Sequence, residues 1–296
     1  MRSWIRIVLG ILLIAVLGGL FWQATRQREP VYKGRRLSVW MKDWRNGYDP
    51  ALQSAAREAV RAMGTNTIPY VRAELRRHDS PFKQKLINLA RKQTRINFHL
   101  RTAEEVHEEA AIICAFAGPS VRGQLIGDWI QLLERGGTNE LWNAETAQAG
   151  GIEGGFGPEA FAPLMNALYS TNVLARSFAV GYLRYVPSRA KAIVPSLLGK
   201  LTDTNCLVRG TAALSLGAMG REPKTVVPAL LRGLDDPNEL IRAYCIRGLA
   251  AFTNEAPSIV PSLLRALGDT NHYVRGAAKL ALKQIDTEAA SRAGAK

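Results

Sequence analysis

The chain has 296 residues, of which 47% are hydrophobic, and a formal net charge of +14 at pH 7. This apolar content excludes an intrinsically disordered chain. Three cysteines, Cys114, Cys206 and Cys245, form no CxxC pair, which excludes a disulfide framework and the usual zinc spacings. We therefore expect no cofactor and no structural metal.

The positive charge is concentrated towards the N-terminus. Residues 1–36 carry a net +6, residues 37–127 carry +5, and residues 128–296 carry only +3. Any surface that attracts anions is therefore expected in the first half of the chain.

A short basic N-terminus, residues 1–6, precedes sixteen residues without a charge, 7–22. A full membrane span needs about 20 apolar residues, and Trp4 and Trp22 flank the run where interfacial aromatics occur. We predict a single-pass transmembrane helix or signal anchor over 7–22. The alternatives are a cleaved signal peptide, which bulky Trp22 near the candidate cut after Ala24 disfavours, and a buried soluble helix, which the absence of a polar face disfavours.

The flanking charges give conflicting signals about sidedness. A cationic start favours the N-terminus inside, whereas the basic residues between 26 and 36 favour keeping the other flank inside. We predict a membrane protein whose body lies on the exported, periplasmic side, because the N-terminal layout is that of a secretory signal anchor.

Residues 23–36 are predicted to form a basic linker, followed by a short helix from Leu37 to Trp44 that covers the first hairpin. Degenerate copies of a helical hairpin are predicted over 37–160. The helical runs are Ala51 to Met63, the Ile68-Pro69-Tyr70-Val71 opening, Ala103 to Phe116, Ser120 to Leu133 and Glu140 to Ala149. In this region Asp79 and Lys85 have a six-residue offset that returns further along the chain.

A glycine-rich segment, Gly150 to Gly157, follows. Residues 155–160 formally fit a G-x-G-x-x-A dinucleotide pattern. That motif needs a preceding strand and a βαβ unit, and neither is readable here. We predict a flexible loop between repeats.

Four regular repeats with a period of 33 residues are predicted over 161–286, with a tail at 287–296. Val-Pro fragments start at Val194, Val227 and Val260, and Phe161 lies 33 residues before the first. Each unit reads as two helices, the first opened by a proline. The second helix is capped by Asn205, Asn238 or Asn271 and has one apolar stripe, which only stacking on a neighbouring hairpin can bury.

This pattern of proline, turn aspartate and Val-Arg pair resembles the HEAT-repeat family. The resemblance implies an all-α fold, an α-solenoid of stacked helical hairpins (HEAT/armadillo-like), here with an N-terminal transmembrane helix. The segment Glu29 to Trp40 is similar to one that precedes HEAT-like repeats in membrane-anchored bacterial proteins, notably from Verrucomicrobia. The family's ladder between repeats maps onto Asp203, Asp236 and Asp269 with Arg209, Arg242, Arg275 and the equivalent Arg176.

Three sets of residues are candidates for function. His107-Glu108 resembles the iron-binding pairs of HEAT-repeat hydroxylases that modify a lysine, but the chain has one such pair, so we interpret His107 and its neighbouring glutamates as an exposed helix face. A basic stretch is either a solvated face, a surface for anionic lipid or a site for nucleic-acid phosphates. It comprises Arg72, Arg76, Arg77, Lys83, Lys85, Arg91, Lys92 and Arg95.

The third set lies on the second helices, which usually line the concave side of such stacks. We predict partner contacts at Arg184, Tyr244, Arg247 and Lys279. The sequence thus predicts a membrane-anchored HEAT-repeat scaffold that binds another protein and is not an enzyme. Its alternatives are nucleic-acid or anionic-lipid binding through the basic N-terminal half, with nucleic acid disfavoured by few interleaved aromatics, and a HEAT-like enzyme with an unrecognised site.

Overall fold

The computed structural model describes residues 29–46, 49–92, 100–136 and 155–294. Within these ranges the chain forms fifteen α-helices, short 3₁₀ turns and one two-stranded hairpin. From Phe161 onwards the helices follow one another as pairs that stack in chain order, so the predicted α-solenoid is confirmed.

The described chain begins with a hairpin that the sequence analysis did not anticipate within the basic linker. Strand β1 (Val31–Tyr32) pairs antiparallel with β2 (Arg35–Arg36). The two loop residues, Lys33 and Gly34, both have positive φ, as the tightest turns between antiparallel strands require. Arg35 then binds Asp43 in the following helix at 2.5 Å.

The predicted covering helix is present as α1 (Leu37–Asn46), which packs on α2 with Leu37 and Met41 fully buried. The N-terminal region continues with α2 (Pro50–Met63), α3 (Ile68–Leu75), α4 (Pro81–Lys92), α5 (Ala103–Phe116) and α6 (Pro119–Glu134). Helices α2, α3, α5 and α6 begin within one residue of the predicted runs, whereas α4 was not predicted as a helix. The predicted run from Glu140 to Ala149 lies outside the described residues.

The regular array consists of four helix pairs and a final short helix. The pairs are α7 (Phe161–Ala167) with α8 (Val173–Leu183), α9 (Ala190–Lys200) with α10 (Cys206–Met219), α11 (Pro223–Arg232) with α12 (Glu239–Leu249), and α13 (Ala256–Ala266) with α14 (His272–Ile285). Helix α15 (Thr287–Arg292) occupies the predicted tail and buries Ala289 and Ala290 against α14.

The prediction that a proline opens each first helix is wrong. Pro195, Pro228 and Pro261 are each the sixth residue of their helix, so these three first helices begin five residues before the proline. A proline there removes only the bond to the carbonyl four residues before it. The prolines and the residues that carry those carbonyls are exposed, so water can take the place of the missing N–H.

The asparagine caps are confirmed, and the structure adds a fourth. Asn205, Asn238 and Asn271 each accept a backbone N–H at the start of the second helix. Asn172 does the same for α8, accepting from two backbone N–H groups. These caps satisfy donors that the helix itself leaves unpaired, and they start all four second helices at the same place in the repeat.

The second helices pack directly on one another, and glycine permits the closest approach. A Cβ added at Gly217 in α10 would lie 2.4 Å from the Gly248 Cα in α12, and one added at Gly248 would lie 2.7 Å from the Ala213 carbonyl oxygen. Real side chains do not reach such distances, so the spacing between these two helices requires glycine at both positions.

The end of the glycine-rich segment is an ordered connection, which corrects the prediction of a flexible loop for residues 155–157. Phe156 is buried beside Tyr182 and Tyr185, and its N–H donates to the Tyr185 carbonyl. Arg122 of α6, itself buried, donates to the Gly155 carbonyl at 3.0 Å. The segment thus ties the N-terminal region to the first repeat of the array.

No helix within the described residues is long and apolar enough to cross a membrane. The predicted span at 7–22 lies outside those residues, so the anchor stays a prediction.

Candidate interaction surface

The aspartates and arginines of the ladder form bidentate ion pairs between successive repeats. Arg176 binds Asp203 with two contacts of 3.2 Å, Arg209 binds Asp236 at 2.9 and 3.1 Å, and Arg242 binds Asp269 at 2.9 and 2.8 Å. Every rung joins residues 27 positions apart.

The third guanidinium nitrogen of each arginine binds its own repeat. Arg209 Nη1 donates to the Asp203 carbonyl at 3.0 Å, and Arg242 Nη1 donates to the Asp236 carbonyl at 3.0 Å. One arginine therefore fixes its own turn and the turn of the next repeat together. The planar fork of arginine suits this double role, which lysine would not fill.

The pKa of each rung aspartate lies below its ordinary value. For Asp203 and Asp236 partial burial is the largest influence and raises the pKa, but hydrogen bonds from the guanidinium and a backbone N–H together outweigh it. For Asp269 the hydrogen bond from Arg242 is the largest influence and lowers the pKa. The rungs therefore stabilise the fold above the ordinary aspartate pKa of about 3.9, and this stability is lost as pH falls through the lower folded-state value.

The ladder ends differently on its two sides. At its start Ser170 stands in the aspartate position and donates its hydroxyl to Glu134 of α6 at 2.8 Å. At its end Arg275 donates to the carbonyls of Asp269 and Thr270, both at 2.8 Å. The regular rungs thus span the array from α8 to the start of α14.

The second helices expose an apolar row that the sequence analysis missed. The second residue of each helix is apolar: Leu207, Leu240 and Tyr273 are 48%, 45% and 59% exposed, and Leu174 is half-buried. Leu214, Arg247 and Leu280 lie seven residues further on, on the same side of each helix. We call this the second-helix face and define it by Leu207, Thr211, Leu214, Leu240, Tyr244, Arg247, Tyr273 and Leu280.

The repeat period of 33 residues could have revealed this exposed row from the sequence alone. Leu174, Leu207, Leu240 and Tyr273 each lie two positions before a ladder arginine, outside the stripe that packs in the core. An apolar residue repeated at a fixed place off the core stripe indicates an exposed apolar row.

The structure brings together two of the four predicted contact residues. Arg247 is exposed and stacks on the Tyr244 ring at 5.8 Å, and both belong to the second-helix face. Arg184 follows α8, where its guanidinium stacks on Tyr185 and donates to the Tyr185 hydroxyl at 2.9 Å. Lys279 lies on another side of its helix.

Lys279 differs because of its place at the end of the array. The equivalent residues one and two repeats earlier, Ile246 and Ala213, are fully buried, and the Ala213 carbonyl faces Gly248 of the next repeat. Lys279 is exposed and occupies the position that packs on a following second helix elsewhere. It therefore does not share the face of Tyr244 and Arg247.

Much of the predicted basic stretch is neutralised by acidic side chains. Arg72 and Arg76 both bind Asp128, at 2.9 and 3.3 Å, and Arg77 binds Glu74 at 3.0 Å. Lys83 binds Asp79 at 2.6 Å.

Two other members of the stretch stay available to solvent. Lys85 and Arg91 are exposed, and neither contacts an acidic side chain among the described residues. The side chain of Lys92 and all of Arg95 lie outside the description. The basic stretch is thus smaller than its charge count predicts, and its free cations lie on α4.

The interpretation of His107 and its glutamates as an exposed face is wrong for His107 and Glu109, whereas Glu104 is exposed. His107 and Glu109 are 8% and 6% exposed. His107 Nε2 bonds the Arg77 carbonyl at 3.0 Å, and Glu109 accepts from Arg45 and Arg101 at 3.0 and 2.8 Å. Burial lowers the pKa of His107. Contacts with two arginines compensate for the burial of the Glu109 carboxyl group, and the helix pattern alone did not reveal them.

Family models match the C-terminal part of the chain. Residues 227–293 match HEAT repeats, and residues 208–236 match the PBS lyase HEAT-like repeat. No curated protein matches the sequence.

Several solved structures share the arrangement at low identity. A chain in a structure of Kap95p binding to RanGDP is 14% identical over 84% of this chain and 35% of that chain, with a TM-score of 0.49. A designed armadillo repeat protein in complex with the peptide (KR)4 is 16% identical over 85% and 100%, with a TM-score of 0.38. Human deoxyhypusine hydroxylase is 17% identical over 85% and 96%, with a TM-score of 0.38.

This chain spans about a third of the length of the first of these structures, and likenesses of this size carry no argument about activity or partners. The assignment depends on the family models together with the helix pairs and the ladder described above. Residues 208–293 are therefore HEAT repeats, as the two family models, the helix pairs and the ladder agree.

Proposed function

We propose that the protein is a membrane-anchored HEAT-repeat scaffold whose second-helix face binds a segment of another protein without catalysis. The observation that carries this proposal is the apolar row of Leu207, Leu240 and Tyr273, exposed at the same place in three successive repeats. Soluble proteins expose scattered apolar side chains without consequence, but a contiguous apolar row is typical of an interaction site.

The ladder favours this proposal because it holds the row in a fixed geometry. Each rung joins the turns that begin two successive second helices, and the apolar residue lies two positions before the ladder arginine. A partner would therefore meet a preformed surface and would not pay the entropy of ordering it. Arg247, stacked on Tyr244, gives the surface an aromatic and cationic anchor of the kind that dominates binding energy at interfaces.

Site-specific photocrosslinking in the native membrane tests the proposal. A photoreactive amino acid in place of Thr211, which is half-buried within the face, should crosslink to a discrete partner. The double variant Leu207→Ser, Leu240→Ser should reduce that crosslink about ten-fold or more, since burying each leucine contributes roughly 1.5–3 kcal/mol.

A matched control uses exposed leucines away from the face. Leu52 and Leu264 are each 40% exposed and lie in α2 and α13. The variant Leu52→Ser, Leu264→Ser should leave the crosslink unchanged. Equal crosslinking in the two double variants would show that the second-helix face does not bind the partner.

The anchoring part of the proposal derives from residues 7–22 and has its own test. The full chain should stay in the membrane fraction after alkaline carbonate extraction, and a chain without residues 7–22 should be released. Protease added to spheroplasts should digest the body if it lies on the exported side. A protected body in intact spheroplasts would place it on the cytoplasmic side instead.

Metal analysis of the purified full chain tests the non-catalytic part. The ring nitrogen of His107 is already bonded to a backbone carbonyl, which supports a structural role for this histidine. Iron bound in stoichiometric amount, and lost in His107→Gln, would contradict the proposal.

A further inference from the structure

Helix α4 (Pro81–Lys92) presents three apolar side chains to solvent on one side. Phe82, Leu86 and Leu89 are 71%, 40% and 65% exposed, and their spacing of four and three residues places them on one stripe. The opposite side holds Ile87, which is buried, together with Gln84 and Asn88 in a cleft beside the start of α5. The helix is therefore amphipathic, with its larger apolar face turned away from the body.

The charges of α4 have a single sign. Its sequence contains Lys83, Lys85, Arg91 and Lys92 and no acidic residue. Lys85 is exposed beside the apolar stripe, and Lys83 lies on the other flank, bound to Asp79. An exposed apolar stripe edged by lysine is the composition of helices that lie in the plane of an anionic membrane surface.

We propose that α4 docks on an anionic lipid bilayer, with Phe82, Leu86 and Leu89 inserted at the headgroup boundary and Lys85 against the lipid phosphates. This inference goes beyond the protein-binding role of the second-helix face, because it assigns a different surface in the other half of the molecule. It concerns the orientation of the body on the membrane.

Two features favour a bilayer over another occupant. The stripe projects from the surface, as exposures of 71% and 65% show for Phe82 and Leu89, and a deformable bilayer accepts a projecting helix without a matching groove. A nucleic acid would meet the lysine but would also meet a bare apolar stripe, which its phosphates do not complement.

The length of chain before the described residues is also compatible with this surface. Six residues lie between the end of the predicted span, Trp22, and Glu29, and the seven Cα–Cα steps that join them reach at most about 25 Å. If the span is inserted, the N-terminal region that contains α4 is the part of the body held beside the lipid headgroups.

Depth-sensitive labelling of the full chain in vesicles tests the proposal. Cys114 and Cys245 are buried and Cys206 is exposed, so a Cys206→Ser background accepts one added cysteine. An environment-sensitive fluorophore on Leu89→Cys should shift to the blue and be quenched by doxyl lipids in vesicles of phosphatidylcholine and phosphatidylglycerol. The same label on Leu264→Cys, an exposed leucine of the array, should show neither change.

Charge and lipid variants supply the decisive comparisons. Pure phosphatidylcholine vesicles should give little quenching at position 89. Lys85→Gln should reduce the ratio of quenched to unquenched label about five-fold, since each basic residue near an anionic surface contributes roughly 1 kcal/mol. Quenching that is equal in both lipids, or absent from both, would overturn the proposal. A label at position 89 already shielded in neutral vesicles would also overturn it, because it would show that protein covers the stripe.

Flotation of the vesicles separates this proposal from the membrane anchor. If the chain floats with the vesicles while the label stays unquenched, the anchor holds and the docking of α4 fails. If the chain floats with anionic vesicles only, α4 binds and the anchor fails.

Discussion

In the array, each ion pair between repeats joins residues 27 positions apart. In the N-terminal region, residues 29–136, the ion pairs span from 3 to 64 positions, as in Glu74 with Arg77 and Arg45 with Glu109. Both regions are built from helical hairpins. They differ in the partner of each arginine. In the array the partner is the turn aspartate of the next repeat, and in the N-terminal region it is an acidic residue that the local packing of helices brings near.

The difference has a consequence for surfaces. The periodic ladder pairs its charges at the turns and in the first turn of each second helix, and it leaves the apolar row of Leu207, Leu240 and Tyr273 exposed at the same place in three repeats. In the N-terminal region, Asp128 binds both Arg72 and Arg76, whereas Lys85 contacts no acidic side chain among the described residues. Regular pairing thus favours an extended binding surface, whereas irregular pairing produces single helices such as α4 with distinctive exposed faces.

The tryptophans allow the two regions to be observed separately. All six, Trp4, Trp22, Trp40, Trp44, Trp129 and Trp142, precede residue 161. Tryptophan fluorescence therefore reports on the chain before the array, while far-ultraviolet circular dichroism reports on all helices. Urea unfolding of the full chain in mild detergent, followed by both signals, is the measurement used below.

Removal of one rung should give the largest effect. Asp236→Ala leaves Arg209, which is 16% exposed, without its carboxylate, and we expect a loss of about 3 kcal/mol in the free energy of unfolding of the array. The circular dichroism midpoint should fall while the fluorescence midpoint stays close to wild type. A parallel fall in both signals would show that the two regions unfold as one unit.

A change that disturbs the close packing between second helices should have the next largest effect on the free energy of unfolding. Gly217→Ala places a Cβ 2.4 Å from the Gly248 Cα, so the helices must separate, at a cost of about 2 kcal/mol. Gly276→Ala is the matched control: this helical glycine has open space around its Cβ position, and alanine there should stabilise by roughly 0.5–1 kcal/mol. Opposite signs for the two variants, measured by circular dichroism, would confirm the packing.

Lowering the pH from 7 to 5 should destabilise the N-terminal region more than the array, with a smaller effect than either substitution above. Burial lowers the pKa of His107, so its contribution to stability is present above its ordinary pKa of about 6.5 and is lost as pH falls. The rung aspartates, whose pKa values are also lowered, keep their charge until pH falls below about 4. Between pH 7 and 5 the urea midpoint measured by fluorescence should therefore fall more than the midpoint measured by circular dichroism.

The variant His107→Gln isolates this effect from Glu74, whose pKa burial raises and which therefore acts in the opposite direction. The variant should lose less stability than wild type between pH 7 and 5. An identical pH dependence in the two proteins would show that His107 is not the responsible group.

An exposed pair of the N-terminal region should give the smallest effect. Arg76 is 60% exposed, and its partner Asp128 keeps Arg72. We expect Arg76→Ala to change the free energy of unfolding by less than about 0.5 kcal/mol. A loss close to that of Asp236→Ala would remove the distinction between the periodic and the local ion pairs.

The period made much of the array predictable. The stripes and the asparagine caps followed from residues that recur every 33 positions, because a repeated environment selects the same residue each time. The pairing of the ladder residues followed from the resemblance to the HEAT-repeat family. The helix starts did not follow, since a proline suits the first turn and is also tolerated at the sixth residue when water can reach the freed carbonyl.

The candidate sites were predictable only in part. Tyr244 and Arg247 were placed on a shared exposed face, but Lys279 was not, because its position at the end of the array exposes what is buried in other repeats. Glu109 and Asp128 lie 64 and 56 residues from arginines that they bind. Contacts of such separation depend on how helices cross, which no local pattern records.

The constant separation of 27 residues between ladder partners also determines how the array can change in length. Each arginine reaches the aspartate of the following unit, so insertion or deletion of a whole 33-residue unit leaves every rung with a partner. A duplication of any other length would shift the partners out of reach. The array can therefore grow or shorten in whole units without new compensating contacts, which makes its reach along a partner an adjustable property.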